Sequence, residues 1–147
     1  MAHLSYSAVF PLIISSDGKK ILLHRRQNTG YMDGFWDTAG SGHVDAGESA
    51  QQAAARESRE ELGIEVAINQ LEFAHVSHNI GSADGRTYYH LYFWVRQYQN
   101  IPTIMEPDKI ADLRWFPFDE LPDKMISIRR HALEKLMIGE KYSENFE

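Results

Sequence analysis

The sequence has 147 residues, a formal net charge of −6 and no cysteine. This length predicts one domain, residues 1–147, with a single sizeable core. The lack of cysteine excludes disulfides and thiolate metal sites, and together with the shortness of every apolar run it favours a cytoplasmic protein. The negative net charge argues against a broad basic surface that binds nucleic acid. It does not exclude nucleotides, because cations can bridge their phosphates.

Apolar alternation and turn residues predict six strands. Residues 5–15 and 20–25 are expected to form a hairpin around Ser16-Asp17-Gly18, with Pro11 marking an edge or a bulge. Residues 87–97 carry apolar bulk on both faces, which indicates a central strand. The other predicted segments are strands at 35–39, within 65–79 and at 113–116, a polar turn at 81–86 and a polar tail at 140–147.

Two helices are predicted from capping residues and amphipathic spacing. In the first, Ser49 is a natural N-cap, Gln52 completes a capping box, and Gly63 stops the helix at its C′ position. The second helix covers residues 126–139. Its apolar face is expected to contain Ile128, Leu133, Leu136 and Met137. A mixed sheet with two helices indicates either an α+β fold or a three-layer α/β/α sandwich.

Three carboxylates share one face of the first predicted helix. Glu57, Glu60 and Glu61 stand at i, i+3 and i+4, and each like-charged pair at this spacing destabilises a bare helix by roughly 0.2–0.5 kcal/mol. Hard oxygen ligands clustered in this way suit Mg²⁺ or Mn²⁺, which would neutralise the repulsion. The alternative interpretation is a solvated acidic helix face.

The spacing around these acids carries a family resemblance. The pattern G-x5-E-x7-R-E-x2-E-E-x-G-apolar runs through residues 42–64, and every charged and glycine position in it is filled. It resembles the signature, or Nudix box, of the MutT-like Nudix hydrolases. The resemblance implies an α/β/α sandwich with a central mixed β-sheet. One position departs from the pattern: a usually apolar residue is Ser58, whose hydroxyl is expected to bond back to the carbonyl of Ala54.

The resemblance also implies a reaction, which is attack of water on a phosphorus within a diphosphate linkage. Glu57, Glu60 and Glu61 would be the metal ligands for Mg²⁺, with Mn²⁺ as a substitute, and Glu57 or Glu60 would also take the proton from the water. Glu48 is either a further metal contact or the ion-pair partner of Arg56, and we favour the ion pair. Arg56 would then orient a carboxylate with its planar guanidinium.

Three further positions are implied near the metal. Gly42 would let the backbone approach the metal closely. The family commonly has a glycine before it and uses that residue's carbonyl as a ligand, so Ser41 is the corresponding candidate here. A further acid often comes from a loop across the site, where Glu106 is the best match and Asp108 the second. The alternative is that Glu106 is an ordinary loop acid.

Substrate contacts are expected on the approach to the box. Tyr31 and Trp36 are candidates for stacking on a base, and Arg25 and Arg26 for binding a phosphate. Relatives that cleave ADP-ribose often carry a proline after the box, and dinucleoside-polyphosphate relatives a tyrosine. Residues 64–86 contain neither. The default substrate is therefore a nucleoside or deoxynucleoside triphosphate, cleaved to NMP and pyrophosphate, with sanitising of oxidised nucleotides as a role within that class.

Two alternatives stay open at this point: an ADP-ribose or sugar-nucleotide pyrophosphatase, and a catalytically silent nucleotide-sensing module. The expected partner is a small nucleotide, without nucleic acid or membrane, and the chain is expected to be a monomer or a homodimer. His75 and His78 are not interpreted as a zinc site, since strand geometry separates them. Residues 129–131, Arg-Arg-His, could contact a phosphate, but the interpretation that we favour is a solvated helix end.

Overall fold

The computed structural model describes residues 2–81 and 85–146. Residues 82–84 of the predicted turn at 81–86 therefore lie outside the described residues. The elements in chain order are β1 (Tyr6–Ile13), β2 (Lys20–Arg26), β3 (Trp36–Thr38), β4 (Gly42–His43), α1 (Ala50–Leu62), a 3₁₀ turn (Ile68–Gln70), β5 (Glu72–Ile80), β6 (Tyr88–Val95), β7 (Ile110–Pro117), α2 (Ser127–Met137) and β8 (Tyr142–Phe146). Neither α-helix has the length and apolar character needed to cross a membrane.

The strands form two sheets, with the orders β4-β1-β6-β5-β8 and β3-β2-β7. In the larger sheet β1 and β6 are parallel, whereas β5 and β6 are antiparallel, so the sheet is mixed. Strand β6 lies in its centre, as predicted. The expected β1–β2 hairpin is wrong. The chain does turn back, with a bridge between Ile14 and Ile21, but β2 then pairs with β3 and β7 in the other sheet.

Pro11 lies in an interior strand but at a locally open side of it. The N–H groups of Tyr6 and Ile14 donate to Thr87 and Val95, so alternate residues of β1 point toward β6. The nitrogen of Pro11 points the other way. On that side β4 pairs only with Ala8 and Val9. Proline therefore removes no ladder hydrogen bond here.

The two helices cover opposite faces of the strands. Helix α1 packs Ala53, Ala54 and Leu62 against one apolar cluster, and α2 packs Ala132, Leu133 and Leu136 against another. Side chains of β6 alternate between these clusters, with Phe93 in the first and Tyr92 in the second. This arrangement confirms the α/β/α sandwich with a mixed sheet.

Local sequence chemistry explains the limits of α1. Ser49 accepts from the N–H of Gln52, whose side chain accepts from the N–H of Ser49, at 3.1 and 2.8 Å. Gly63 ends the helix in the left-handed region at φ 69°. The Ser58 hydroxyl donates to the carbonyl of Ala54 at 2.8 Å, as predicted.

Two expectations at the C-terminal end are wrong. The buried stripe of α2 consists of Arg129, Ala132, Leu133 and Leu136, whereas Met137 is 44% exposed. The tail predicted to be only polar contains β8, which pairs in parallel with β5. A sheet edge can order a polar segment through backbone hydrogen bonds alone, so composition did not indicate this strand.

Candidate active site

One guanidinium organises the acids of α1. Arg56 donates from Nε and Nη2 to the two oxygens of Glu48, at 3.1 and 2.7 Å. Its Nη1 donates to Glu57 at 2.7 Å and to Glu60 at 3.2 Å, and Nη2 also reaches the carbonyl of His43 at 3.0 Å. The hydrogen bonds from Arg56 lower the pKa of Glu48 to about 2. The structure thus contains the expected Glu48–Arg56 pair and extends it to three further carboxylates, those of Glu57, Glu60 and Asp45, the last with Oδ2 3.4 Å from Nη2.

Glu57 stands where α1 meets the strand β4. Burial raises the pKa of its carboxyl against the opposing hydrogen bond from Arg56, and the charges of Glu60 and Glu106 add to the increase. A Cβ atom on Gly42 would collide with the Glu57 carboxylate. The close approach that requires glycine at this position is therefore to the Glu57 side chain.

A cavity of about 330 Å³, which we call the carboxylate cavity, lies at Glu61, on the same helix as Glu57. Its lining includes Glu61 and Glu106, and the charges of Glu57 and Glu106 reach Glu61. Burial, followed by these charges, raises the pKa of Glu61 to about 8. Its Oε2 atom is buried without a hydrogen-bond partner among the described residues. The full lining is His24, Arg26, Asn28, Thr29, Ser41, Glu61, Glu106, Lys109 and Ile110.

The donors at this cavity fit a hard divalent cation. They are carboxylate oxygens, and the unpartnered Oε2 of Glu61 is a buried acceptor that a cation would satisfy. Within the described ranges, no three acidic or histidine side chains are already gathered around one point. Glu57 and Glu60 are instead turned toward Arg56. Neither side chain lines the carboxylate cavity.

A second cavity of about 440 Å³, the aromatic cavity, adjoins the first, and Arg26 and Ser41 line both. Rings of Phe10, Tyr31 and Tyr88 contribute to its walls. The remaining lining residues are Ala8, Asp37, Gly42, His43, Asn79, His90, Ile128 and Arg129. The combination of ring faces with a few polar groups is typical of a small-molecule site.

The structure separates the four predicted substrate contacts. Arg26 and Tyr31 line the aromatic cavity, and Arg26 donates to the carbonyl of Tyr31 at 2.8 Å. Arg25 and Trp36 line neither cavity. Arg25 pairs with Trp36 across β2 and β3, on the face of β2 opposite to Arg26. Trp36 is buried there and packs edge-on against Phe116, with ring centroids 5.0 Å apart. The two predictions are therefore corrected: Arg25 is a surface residue and Trp36 is a core residue.

Sequence reasoning missed Arg129, which is 5% exposed and not a solvated helix end. Its Nε donates to Asp37 at 2.6 Å, and its Nη1 donates to the hydroxyl of Tyr92 at 2.6 Å and to Nδ1 of His90 at 3.2 Å. The guanidinium carbon lies 3.5 Å from the centroid of the Phe10 ring. Its spacing of four and seven residues from Leu133 and Leu136 was the available signal, because it places the side chain on the buried stripe.

The histidines that were not interpreted as a zinc site have other contacts. His75 is buried between the carbonyl of Glu140 and the hydroxyl of Ser143, both at 2.8 Å. His78 stacks on Tyr89 with centroids 4.3 Å apart. His75 therefore binds to β8, whereas His78 packs on the surface of the sheet.

Comparison with known proteins decides the family. The sequence model described as the NUDIX domain matches residues 5–136. The chain belongs to the Nudix family. This confirms the resemblance of the Nudix box to the signature of the family.

The names of two similar proteins refer to different substrates. The NAD-capped RNA hydrolase NudC of Pseudomonas aeruginosa is 32% identical over 126 residues, which are 84% of this chain and 41% of NudC. The CTP pyrophosphohydrolase of Escherichia coli is 45% identical over 67 residues, 46% of this chain and 48% of the relative. The chain thus spans less than half the length of these relatives.

Solved structures support the fold. The crystal structure of the MutT Nudix hydrolase from Burkholderia pseudomallei is similar with a TM-score of 0.78 and 28% sequence identity, and the match covers 90% of this chain and 98% of that one. The solution structure of the Escherichia coli ORF135 protein has a TM-score of 0.73 at 25% identity, covering 91% and 89% of the two chains.

Proposed function

We propose that this Nudix domain hydrolyses a nucleoside or deoxynucleoside triphosphate to the nucleoside monophosphate and pyrophosphate. The observation that carries the proposal is the junction of the two cavities, which share Arg26 and Ser41. A nucleotide lying across this junction would have its phosphates beside Glu61 and its base among the rings of the aromatic cavity. One water is consumed and one P–O bond of the anhydride is broken.

The proposed cofactor is Mg²⁺, with Mn²⁺ as a substitute. The residues that would hold it are Glu57, Glu60, Glu61, Glu106 and the carbonyl of Ser41. When bound, the cation lowers the pKa of a coordinated water and offsets the charge of the phosphates. The fit rests on Glu61, whose unpartnered, buried Oε2 stands among carboxylates of the same charge.

The protein's own groups position the acids and accept the proton. Arg56 donates to both Glu57 and Glu60 through one nitrogen, Nη1, and we assign the proton acceptor to one of these two carboxylates. Glu48 fixes the other edge of the guanidinium and ties the loop before α1 to the helix. We assign the contact with a phosphate or sugar at the junction to Arg26, because this residue lines both cavities.

Product analysis with a nucleotide panel tests the reaction class. Purified protein with Mg²⁺ is offered canonical and oxidised (deoxy)nucleoside triphosphates, ADP-ribose, NAD, sugar nucleotides and dinucleoside polyphosphates. Release of monophosphate and pyrophosphate from triphosphates is the expected result. Cleavage confined to ADP-ribose, NAD or sugar nucleotides would overturn the substrate and keep the chemistry. Tight nucleotide binding without turnover would indicate a sensing module.

The variant Glu57→Gln tests the acids. It keeps an oxygen that can accept from Arg56 but removes a charged metal ligand, so we expect a loss of roughly a hundredfold or more in kcat/KM. Glu72→Gln is the matched control, because it makes the same charge change on an exposed residue of β5. Calorimetric titration with Mg²⁺ should show weaker binding for Glu57→Gln only. Equal activity in both variants would contradict the proposed site.

A further inference from the structure

Arg129 is a buried cation in the wall of the aromatic cavity. Its Nε and Nη1 atoms are engaged by Asp37, Tyr92 and His90. No hydrogen bond joins its Nη2 to the described part of the chain, although the side chain lines the cavity. Nη2 is not one of the buried side-chain atoms without a partner, so it is open to the cavity and can donate to an acceptor bound there.

The surroundings of Arg129 favour a neutral acceptor over a phosphate. Burial by itself would raise the pKa of Asp37, but the ion pair with Arg129 outweighs it, so the pKa is lowered and Asp37 stays charged. Burial and the Arg129 charge lower the pKa of His90 to about 3, so this ring is neutral. Because Asp37 balances the guanidinium at 2.6 Å, the pair carries no excess positive charge for an anion.

The position of the guanidinium also sets which part of a ligand it meets. It lies between the Phe10 ring, 3.5 Å from its centroid, and the fully buried Tyr92. Arg129 lines the aromatic cavity but not the carboxylate cavity, so it is not part of their shared wall. A nucleobase that enters from the junction would present to Arg129 the edge opposite its glycosidic bond. Guanine and uracil present a carbonyl there, whereas adenine and cytosine present an amino group.

We propose that Arg129 is a specificity residue, whose Nη2 donates to a carbonyl oxygen on the far edge of the substrate's base. The inference rests on the proposed function and refines its substrate class to triphosphates of guanine-like and uracil-like bases. An amino group in the same place would be a second donor facing Nη2, so the guanidinium would gain no hydrogen bond from it. Sites that hydrogen-bond one substrate group reject analogues lacking it far better than apolar sites reject a missing methylene.

Matched nucleotides that differ in one carbonyl group and in the ring N–H beside it test this role. Inosine triphosphate is compared with purine riboside triphosphate, and uridine triphosphate with 2-pyrimidinone riboside triphosphate. For at least one pair the native protein should favour the carbonyl form by roughly tenfold or more in kcat/KM, as expected for a hydrogen bond to a charged donor. ATP and CTP should be hydrolysed less efficiently than GTP and UTP.

The substitution must not leave a buried charge unpaired, so Arg129→Met is combined with Asp37→Asn. In the double variant the preference within the matched pair should fall to near one. This ratio is measured on one preparation and is therefore independent of the folded fraction. Arg130→Gln is the control, because this neighbouring guanidinium binds the carbonyl of Pro122 and lines neither cavity of the site. Its ratio should equal that of the native protein.

A binding measurement without Mg²⁺ gives a second readout. Inosine monophosphate should bind the native protein more tightly than purine riboside monophosphate, and the double variant should bind both alike. An unchanged ratio in the double variant, or native preference for ATP or CTP, would overturn the role of Arg129 and leave the proposed function standing. Failure to hydrolyse any triphosphate would overturn the proposed function and this inference together.

Discussion

At the scale of single residues, the site is a balance between carboxylates and one arginine. Arg56 compensates Glu48, Glu57 and Glu60 directly, at distances of 2.7 to 3.2 Å. Glu61 lies beyond its reach and has a pKa raised to about 8 by burial and by its acidic neighbours. The protein therefore tolerates one buried acid that is satisfied only in part. Such local costs are typical of functional sites, where stability is given up for a prepared geometry.

Gly42→Ala should separate activity from folding. The added Cβ would meet the Glu57 carboxylate, so that side chain must move, whereas the backbone at position 42 does not require glycine. A displaced carboxylate of this kind is expected to lower kcat/KM by roughly a hundredfold. Urea unfolding should show a much smaller relative change in stability. Unaltered kinetics in a correctly folded Gly42→Ala protein would show that the position of Glu57 is not critical.

Residue spacing predicted the box and missed the rest of the site for a physical reason. Glu48, Arg56 and Glu57 lie on one loop and one helix, where local geometry fixes which side chains meet. Asp37 and Arg129 are separated by 92 positions, and their contact depends on how α2 packs across β3. A pattern of nearby residues cannot encode a contact over 92 positions. Only the placement of Arg129 on an apolar stripe hinted that its charge would be buried.

At the scale of elements, α1 carries two serines with opposite effects. Ser49 caps the helix and satisfies a backbone N–H that would otherwise lack a partner. Ser58 is buried in the middle of the helix and bonds back to Ala54, a contact that slightly destabilises helices. It fills a position where the family usually has an apolar residue. The capping serine should thus matter for stability, and the interior one should not.

Alanine substitutions at both serines test this difference. Ser49→Ala is expected to lower the free energy of unfolding by about 1 kcal/mol. Ser58→Ala is expected to change it by less than about 0.5 kcal/mol or to increase it, since alanine has the higher helix propensity. Chemical unfolding of both variants, with kcat measured below the transition, is the required comparison. A large loss of activity in Ser58→Ala would contradict a role limited to packing.

The elements that sequence predicted well are those with local signals. Caps at Ser49 and Gly63 fixed α1, and alternation on both faces placed β6 in the centre of the sheet. The prediction of a β1–β2 hairpin was wrong because the sequence indicates the turn between the two strands but not the pairing of β2 with β3 and β7. Strand β8 was missed because its order comes from β5 and from the contact of His75 with Ser143, 68 positions away.

At the scale of the whole molecule, buried histidines couple the site to stability. His90 lies against Arg129 in the aromatic cavity, and burial together with that charge lowers its pKa to about 3. Burial lowers the pKa of His24 to about 4. In both cases the unfolded chain binds a proton that the folded protein excludes. Stability should therefore be lost as pH falls below the unfolded value of 6.5.

The variant His90→Asn isolates one of these protons, because Asn can accept from Arg129 without titrating in this range. Between pH 7 and pH 5 the native protein should lose about 2 kcal/mol of unfolding free energy more than the variant does. Comparison with a variant is needed, since the raised pKa of Glu61 acts oppositely and lowers stability as pH rises from 4.5 to about 8. Urea titrations at both pH values, without metal, measure these free energies of unfolding. His3→Asn, at an exposed histidine, should follow the native curve. Parallel curves for the native protein and His90→Asn would mean that the cavity admits a charged ring beside Arg129, contrary to the burial that defines it.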